Sequence, residues 1–191
     1  MTSPRRRPGS DPALVAQVRE SVWQFDARTN REISSRRRFL LELDRLDDPF
    51  GRDADIVHVT GSAIVTGPRG TLLHRHKRLG FWMQPGGHVD PGEAPWVAAA
   101  RETKEETGLV GRHPDDGPRL FHLDAHPAGD HFHLDLRYLL YSDDGDPAPA
   151  AGESQDVQWF DLDDAIAVAD EALVDGLWRL KELELPDGRP T

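Results

Sequence analysis

The chain has 191 residues, 37 % apolar and 30 % charged, which suits one domain with a real core. Cysteine is absent, so a disulfide scaffold and a cysteine nucleophile are both excluded. The net charge of −11 sits in the body: residues 1–50 carry ten basic and eight acidic residues, residues 51–191 thirteen and twenty-six. Such a body repels a nucleic-acid polymer, yet a small phosphorylated substrate remains compatible if metal ions mask the acidic site.

In chain order, residues 1–10 read as a disordered tail, with Arg5, Arg6 and Arg7 solvated. Leu14, Val18, Val22 and Phe25 recur at helical spacing after Asp11 and Pro12, which predicts a first helix over 13–25. Ile33, Phe39, Leu40, Leu43 and Leu46 predict a second helix over about 32–46. Together these make a helical extension, 11–50, ahead of a main domain at 51–191. Two uses stay open for it: an arm for a homodimer, or padding for the domain. The period then changes to that of strands in "IVHVTGSAIVTG" and "TLLHRH", joined by the turn "GPRG". Further strands are expected near Leu120–Leu123, over 131–141 and at "VQWF", with a final helix over roughly 163–184. Along 131–141, Phe132, Leu134, Leu136, Tyr138 and Leu140 face one way and His131, His133, Asp135 and Arg137 the other. No run approaches the roughly 20 apolar residues of a membrane span, and the N-terminus lacks the apolar core of a signal peptide. A cytoplasmic protein without membrane partners is expected.

The chemistry concentrates in "QPGGHVDPGEAPWVAAARETKEETGL", residues 84–109. Pro95 suits the first turn of a helix and Gly108 its end. On that helix Glu102, Glu105 and Glu106 fall at i, i+3 and i+4, so three carboxylates share one face. Like charges so placed repel by a few tenths of a kcal/mol per pair in water, and by more if the face is partly dry. Arg101 alone cannot neutralise three carboxylates. The face is either solvated or a cradle for hard divalent cations, which take oxygen ligands.

Counting from Gly87, Glu93 follows after five residues and Arg101 after seven more; Glu102, Glu105, Glu106, Gly108 and Leu109 complete the pattern. This resembles the Nudix box, and eight of nine fixed positions match. Thr103 departs from it, standing where the family has an aliphatic residue. The resemblance implies an α/β fold, an α+β sandwich with a mixed sheet between helices. It implies a hydrolase that cleaves the pyrophosphate bond of a nucleoside diphosphate derivative with Mg²⁺ or Mn²⁺, by attack of water on phosphorus. Carried over by position, Glu102, Glu105 and Glu106 with the carbonyl of Gly86 would hold the metal, and Arg101 and Glu93 would orient the ligands. Glu153, in the loop before "VQWF", is the candidate general base beside the box glutamates; an exposed loop acid is the other reading.

Substrate contacts are expected around the box. Arg75, His76 and Arg78 belong to the densest cationic run of the body and suit terminal phosphates; a charged edge strand is the alternative. Trp82 is a base-stacking or a packing residue, and Gln84 is placed to touch substrate. His88, His131, His133 and Asp135 read as a polar sheet face lining a substrate cleft, or as a further metal site, and Arg137 on the same strand face is an expected substrate contact. The isoprenoid isomerase branch of the same superfamily carries a metal-binding histidine at the position of His88, which suggests isopentenyl-diphosphate isomerisation as an alternative. That branch uses a cysteine acid/base, and this chain has none. A non-catalytic nucleotide-sensing module is the other alternative.

Overall fold

The computed structural model describes residues 9–78 and 80–183. Residues 1–8 of the expected tail, and the last residue of the expected final helix, lie outside them. Ser10, assigned to that tail, is tied down: its hydroxyl donates to Asp48 and accepts from the Phe50 amide at 3.3 Å.

Helix α1, Pro12–Gln24, starts at Asp11, whose side chain accepts from the Ala13 amide. Helix α2, Asn30–Arg45, starts two residues earlier than its apolar period suggests, because Thr29 and Glu32 form a capping box. The strands are β1 (Val57–Gly67), β2 (Gly70–Arg75), β3 (Trp82–Met83), β4 (Gly86–His88), β5 (Leu120–Ala128), β6 (His131–Tyr141) and β7 (Val157–Phe160). Between them lies α3, Pro95–Thr107, and after them α4, Leu162–Val168, and α5, Glu171–Leu183. Strands β3-β2-β1-β6-β5 form the ordered path, β4 pairs with β1, and β7 with β2. The sheet is mixed: β1 runs parallel to β6 from Val57 opposite Phe132 to Thr66 opposite Tyr141, while β1/β2 and β5/β6 are antiparallel.

Alternation along β1 and β6 divides the interior. Val59, Ala63, Val65, Leu134, Leu136, Tyr138 and Leu140 share one core with Ala98 and Ala99 of α3 and Val18, Val22, Phe39 and Leu43 of α1 and α2. Ile64, Leu73 and Leu139 point the other way, into a core with Leu162 of α4 and Leu173, Leu177 and Leu180 of α5. The first two helices are thus part of a helical layer, and Ile33, expected on the apolar face, is 48 % exposed. Strand β5 ends the ordered path of the sheet, and α2 covers it. The Ser35 hydroxyl accepts from the Ala125 amide at 3.1 Å, and Arg31 makes two bonds of 2.7 and 3.0 Å to buried Asp124. The Ala125 amide, capped in this way, is closed to strand pairing with another chain.

The expected final helix is two helices. Asp170 breaks it: its amide donates to the Trp82 carbonyl at 2.8 Å and its carboxylate accepts from Ala172, starting α5. No glycine or proline marks the break, so periodicity runs through it. Gly61 sets the distance of α3 from the sheet, since a Cβ there would lie 2.3 Å from the Pro95 carbonyl. Gly61→Ala is therefore expected to cost about 2 kcal/mol in a denaturant melt.

Candidate active site

Helix α3 ends at Gly108, whose φ of 77° gives the left-handed cap. Thr103, the departure from the motif, is wholly buried, and its hydroxyl donates to the Ala99 carbonyl at 2.7 Å. The extra oxygen is satisfied within the helix, so the side chain packs as an aliphatic one would.

Arg101 organises the carboxylates. It donates to both oxygens of Glu93 at 3.0 Å, to Glu102 at 2.7 Å and to Glu105 at 3.4 Å. A fourth contact, 2.9 Å to the His88 carbonyl, ties the helix to β4. Glu93 in turn accepts from the Asp90 amide. Glu106 stands apart from this cluster. It accepts from the Gly86 amide at 2.8 Å and lies 3.8 Å from His74 Nε2. Burial, together with the nearby charges of Glu102, Glu153 and Glu105, pushes its carboxyl up to about 8, against the pull of the Gly86 amide. Burial also raises Glu102, with Arg101 opposing. The Glu106–His74 spacing suggests an ion pair, but burial holds His74 down at about 4. The metal-free pair is neutral at pH 7, because both shifts arise from the same dry surroundings.

Three carboxylates on one face, only two of them held by Arg101, match the donor set of a hard divalent cation. Gly87 leaves the room this needs, since a Cβ there would lie 2.4 Å from the Glu102 carboxylate. Glu105 is half in solvent, open to an incoming ion. Gly86, the expected backbone ligand, meets Glu106 through its amide.

A cavity of 260 Å³ adjoins this face, lined by His74, His76, Lys77, Arg78, Glu106, Glu153 and Ser154. It joins Glu153 to the box helix and sets the acids against a cationic loop. A larger cavity of 480 Å³ lies away from α3, between α1 and α5. Of its three arginines, Arg28 and Arg179 are already paired with Asp26, Glu182 and Glu32, and Arg119 lies over the Phe121 ring.

Four expected substrate contacts are engaged elsewhere. Arg75 alternates out of the cavity and donates to the Gly80 carbonyl. His74, its neighbour in the chain, lines the cavity in its place. The Trp82 ring packs edge-on against Phe160, with centroids 4.9 Å apart. Gln84 is buried and donates to Asp135 at 3.1 Å. Arg137 is buried too, bonded to Asp135 at 2.8 Å and to the Ala172 carbonyl. Asp135 also accepts from Thr60 and Ser62, which fills its oxygens and removes it as a metal ligand. Burial would raise this carboxyl, but the Arg137 charge holds it below the usual range.

His88 and His133 sit on the opposite sheet face, with ring centroids 5.4 Å apart. A third ring, His58, which sequence reasoning passed over, lies 5.1 Å from His88 and 5.0 Å from His133. Its signal was the alternation of His58, Thr60 and Ser62 with Val57 and Val59 in β1.

The NUDIX domain model matches residues 57–180. The asymmetrical bis(5'-nucleosyl)-tetraphosphatase of Caenorhabditis elegans is 36 % identical over 104 residues, which cover 51 % of this chain and 71 % of that enzyme. An isopentenyl-diphosphate Δ-isomerase of Streptomyces griseus is 42 % identical over 60 residues, covering 28 % of this chain but only 30 % of the isomerase. Among solved structures, a NUDIX-family hydrolase from Clostridium perfringens superposes with a TM-score of 0.57 at 28 % identity, covering 66 % of this chain and 98 % of its own. No helix among the described residues is long and apolar enough to cross a membrane. The matched region holds the sheet, the box helix and the carboxylate cluster together, and the chain belongs to the NUDIX family as a hydrolase of acid anhydrides in phosphorus-containing compounds.

Proposed function

We propose that the chain is a divalent-metal-dependent pyrophosphohydrolase acting on nucleoside polyphosphates or nucleoside diphosphate derivatives, with dinucleoside polyphosphates as the leading class. The observation that carries this reading is the lining of the 260 Å³ cavity, which brings the carboxylates of Glu106 and Glu153 together with the cations Lys77 and Arg78. A polyphosphate chain fits such a cavity with one phosphate at the acids and the next at the cations. The C. elegans relative, named for a dinucleoside tetraphosphate, supports the substrate class.

Glu102, Glu105, Glu106 and the Gly86 carbonyl would hold Mg²⁺ or Mn²⁺. When bound, such ions polarise a phosphoryl oxygen and screen the diphosphate charge. Arg101 and Glu93 fix the directions of Glu102 and Glu105. Lys77, Arg78 and His76 hold the far phosphates. Glu153 takes a proton from the attacking water. The water oxygen bonds to phosphorus, the bridging P–O bond breaks, and the leaving phosphate departs with the electron pair. In this reading Glu106 ionises on binding the cation, so Mg²⁺ affinity rises with pH up to about 8, the value to which its carboxyl is pushed. Isothermal titration at pH 6, 7 and 8 checks this; equal affinity at all three contradicts it.

The functional test is a substrate panel: dinucleoside polyphosphates, nucleoside triphosphates, nucleoside diphosphate sugars and isopentenyl diphosphate, each with Mg²⁺, Mn²⁺ or chelator. Metal-dependent release of a nucleotide is expected. Saturable binding without turnover on any compound would instead make the chain a sensor. Isomerisation of isopentenyl diphosphate without phosphate release would make it an isomerase.

A further inference from the structure

On the sheet face turned away from α3, three strands each contribute one imidazole to a common point. His58 comes from β1, His133 from β6 directly opposite it in the parallel register, and His88 from β4 opposite Thr60. One nitrogen of each ring lies within 4.8 Å of the others. His58 is wholly buried, and its Nδ1 lies 3.4 Å from the Asp55 carbonyl, while its Nε2 has no hydrogen-bond partner. A buried polar atom left without a partner is rare and costly. The bond at Nδ1 fixes that nitrogen as the donor, which leaves the Nε2 lone pair available as a ligand. His131 stands edge-on to His58 at 5.1 Å, and His126, bonded to Asp124, stands 5.8 Å from His133. These two rings wall the cluster without completing it.

We propose that His58, His88 and His133 form a binding site for one Zn²⁺-class ion, separate from the carboxylates of α3. Three imidazoles select zinc and its neighbours over Mg²⁺, which prefers oxygen. The chain has no thiol to compete for such an ion. Zn–N bonds of about 2.0–2.1 Å bring ligand nitrogens to roughly 3.4 Å from one another, so ring shifts of about an ångström complete the site. Asp135, the nearest carboxylate on this face of β6, already has four donors, so the fourth position is open to water or a substrate oxygen. Three neutral ligands leave the ion's charge unbalanced, which favours an anionic oxygen there. Strand β4 joins the two sites. Its backbone serves the carboxylates through Gly86 and the His88 carbonyl, and its His88 ring serves the imidazoles. An ion on the imidazoles would therefore hold the strand from which the Gly86 amide meets Glu106.

The test uses the full chain, stripped of metal by chelator and kept in excess Mg²⁺ to occupy the carboxylates. Calorimetric titration with Zn²⁺ is expected to show one ion per chain, and Co²⁺ to give the visible absorption of a four-coordinate, nitrogen-bound ion. His88→Gln and His133→Gln, both at partly exposed positions, should each weaken Zn²⁺ at least about a hundredfold. Circular dichroism checks that they fold. The double variant Glu105→Gln/Glu106→Gln should bind Zn²⁺ as the unaltered chain does. No Zn²⁺ uptake in excess Mg²⁺, unchanged affinity in the folded histidine variants, or loss of the ion in the glutamate variant would each overturn the proposal.

Discussion

Glu106→Gln is expected to lower kcat on the order of a thousandfold, the scale of losing a group that serves the transition state. The amide keeps an oxygen to accept from Gly86, so the local geometry survives. Stability should move the opposite way. The folded, metal-free chain holds a proton on Glu106 up to about pH 8, while the unfolded chain releases it near the ordinary value of 4.5. Between those values the folded state binds more protons, so stability falls as pH rises. A neutral glutamine escapes that loss. Metal-free Glu106→Gln should therefore melt higher than the unaltered chain at pH 8 and nearly equal to it at pH 5, by on the order of a few kcal/mol at the upper end. Melting curves at the two pH values, paired with kcat in Mg²⁺, separate a catalytic loss from a folding one. Full activity in the variant would remove Glu106 from the site.

Arg101→Ala is expected to damage both folding and turnover. Its guanidinium bonds Glu93, Glu102, Glu105 and the His88 carbonyl, and it is only 26 % exposed. Removal leaves Glu93 and Glu102, both mostly buried, without their counter-charge. The expected cost is about 3 kcal/mol in a denaturant melt. Arg101→Lys should recover only part of this, because an ammonium cannot reproduce the forked contacts to Glu93. Mg²⁺ at millimolar concentration should restore some of the stability of Arg101→Ala by supplying positive charge at the same carboxylates. Stability of Arg101→Ala equal to that of the unaltered chain would contradict the role given to this side chain.

The box helix was legible because its signals are local. Pro95, Gly108 and the i, i+3, i+4 glutamates lie within one helix, and helical geometry alone puts them on one face. Strand β6 was legible for the same reason, through its strict alternation. What escaped was set by partners distant in sequence. Arg137 and Gln84 look like substrate contacts until the register of β1 and β6 brings Thr60, Ser62 and Asp135 beside them. His58 gains meaning only when β4 and β6 supply His88 and His133. Arg75 and His74 are adjacent in sequence, and only the pleat decides which one lines the cavity. The break between α4 and α5 depends on a backbone bond to Trp82, which no local composition announces.

The central claim is that the crowded glutamates of α3 are a cradle for divalent cations. Mn²⁺ binding followed by electron paramagnetic resonance tests it most directly, comparing the unaltered chain with Glu102→Gln/Glu105→Gln/Glu106→Gln, both verified as folded. The account predicts saturable Mn²⁺ binding in the first, displaced by excess Mg²⁺, and at least a tenfold loss in the second. Equal Mn²⁺ affinity in the two proteins would contradict it.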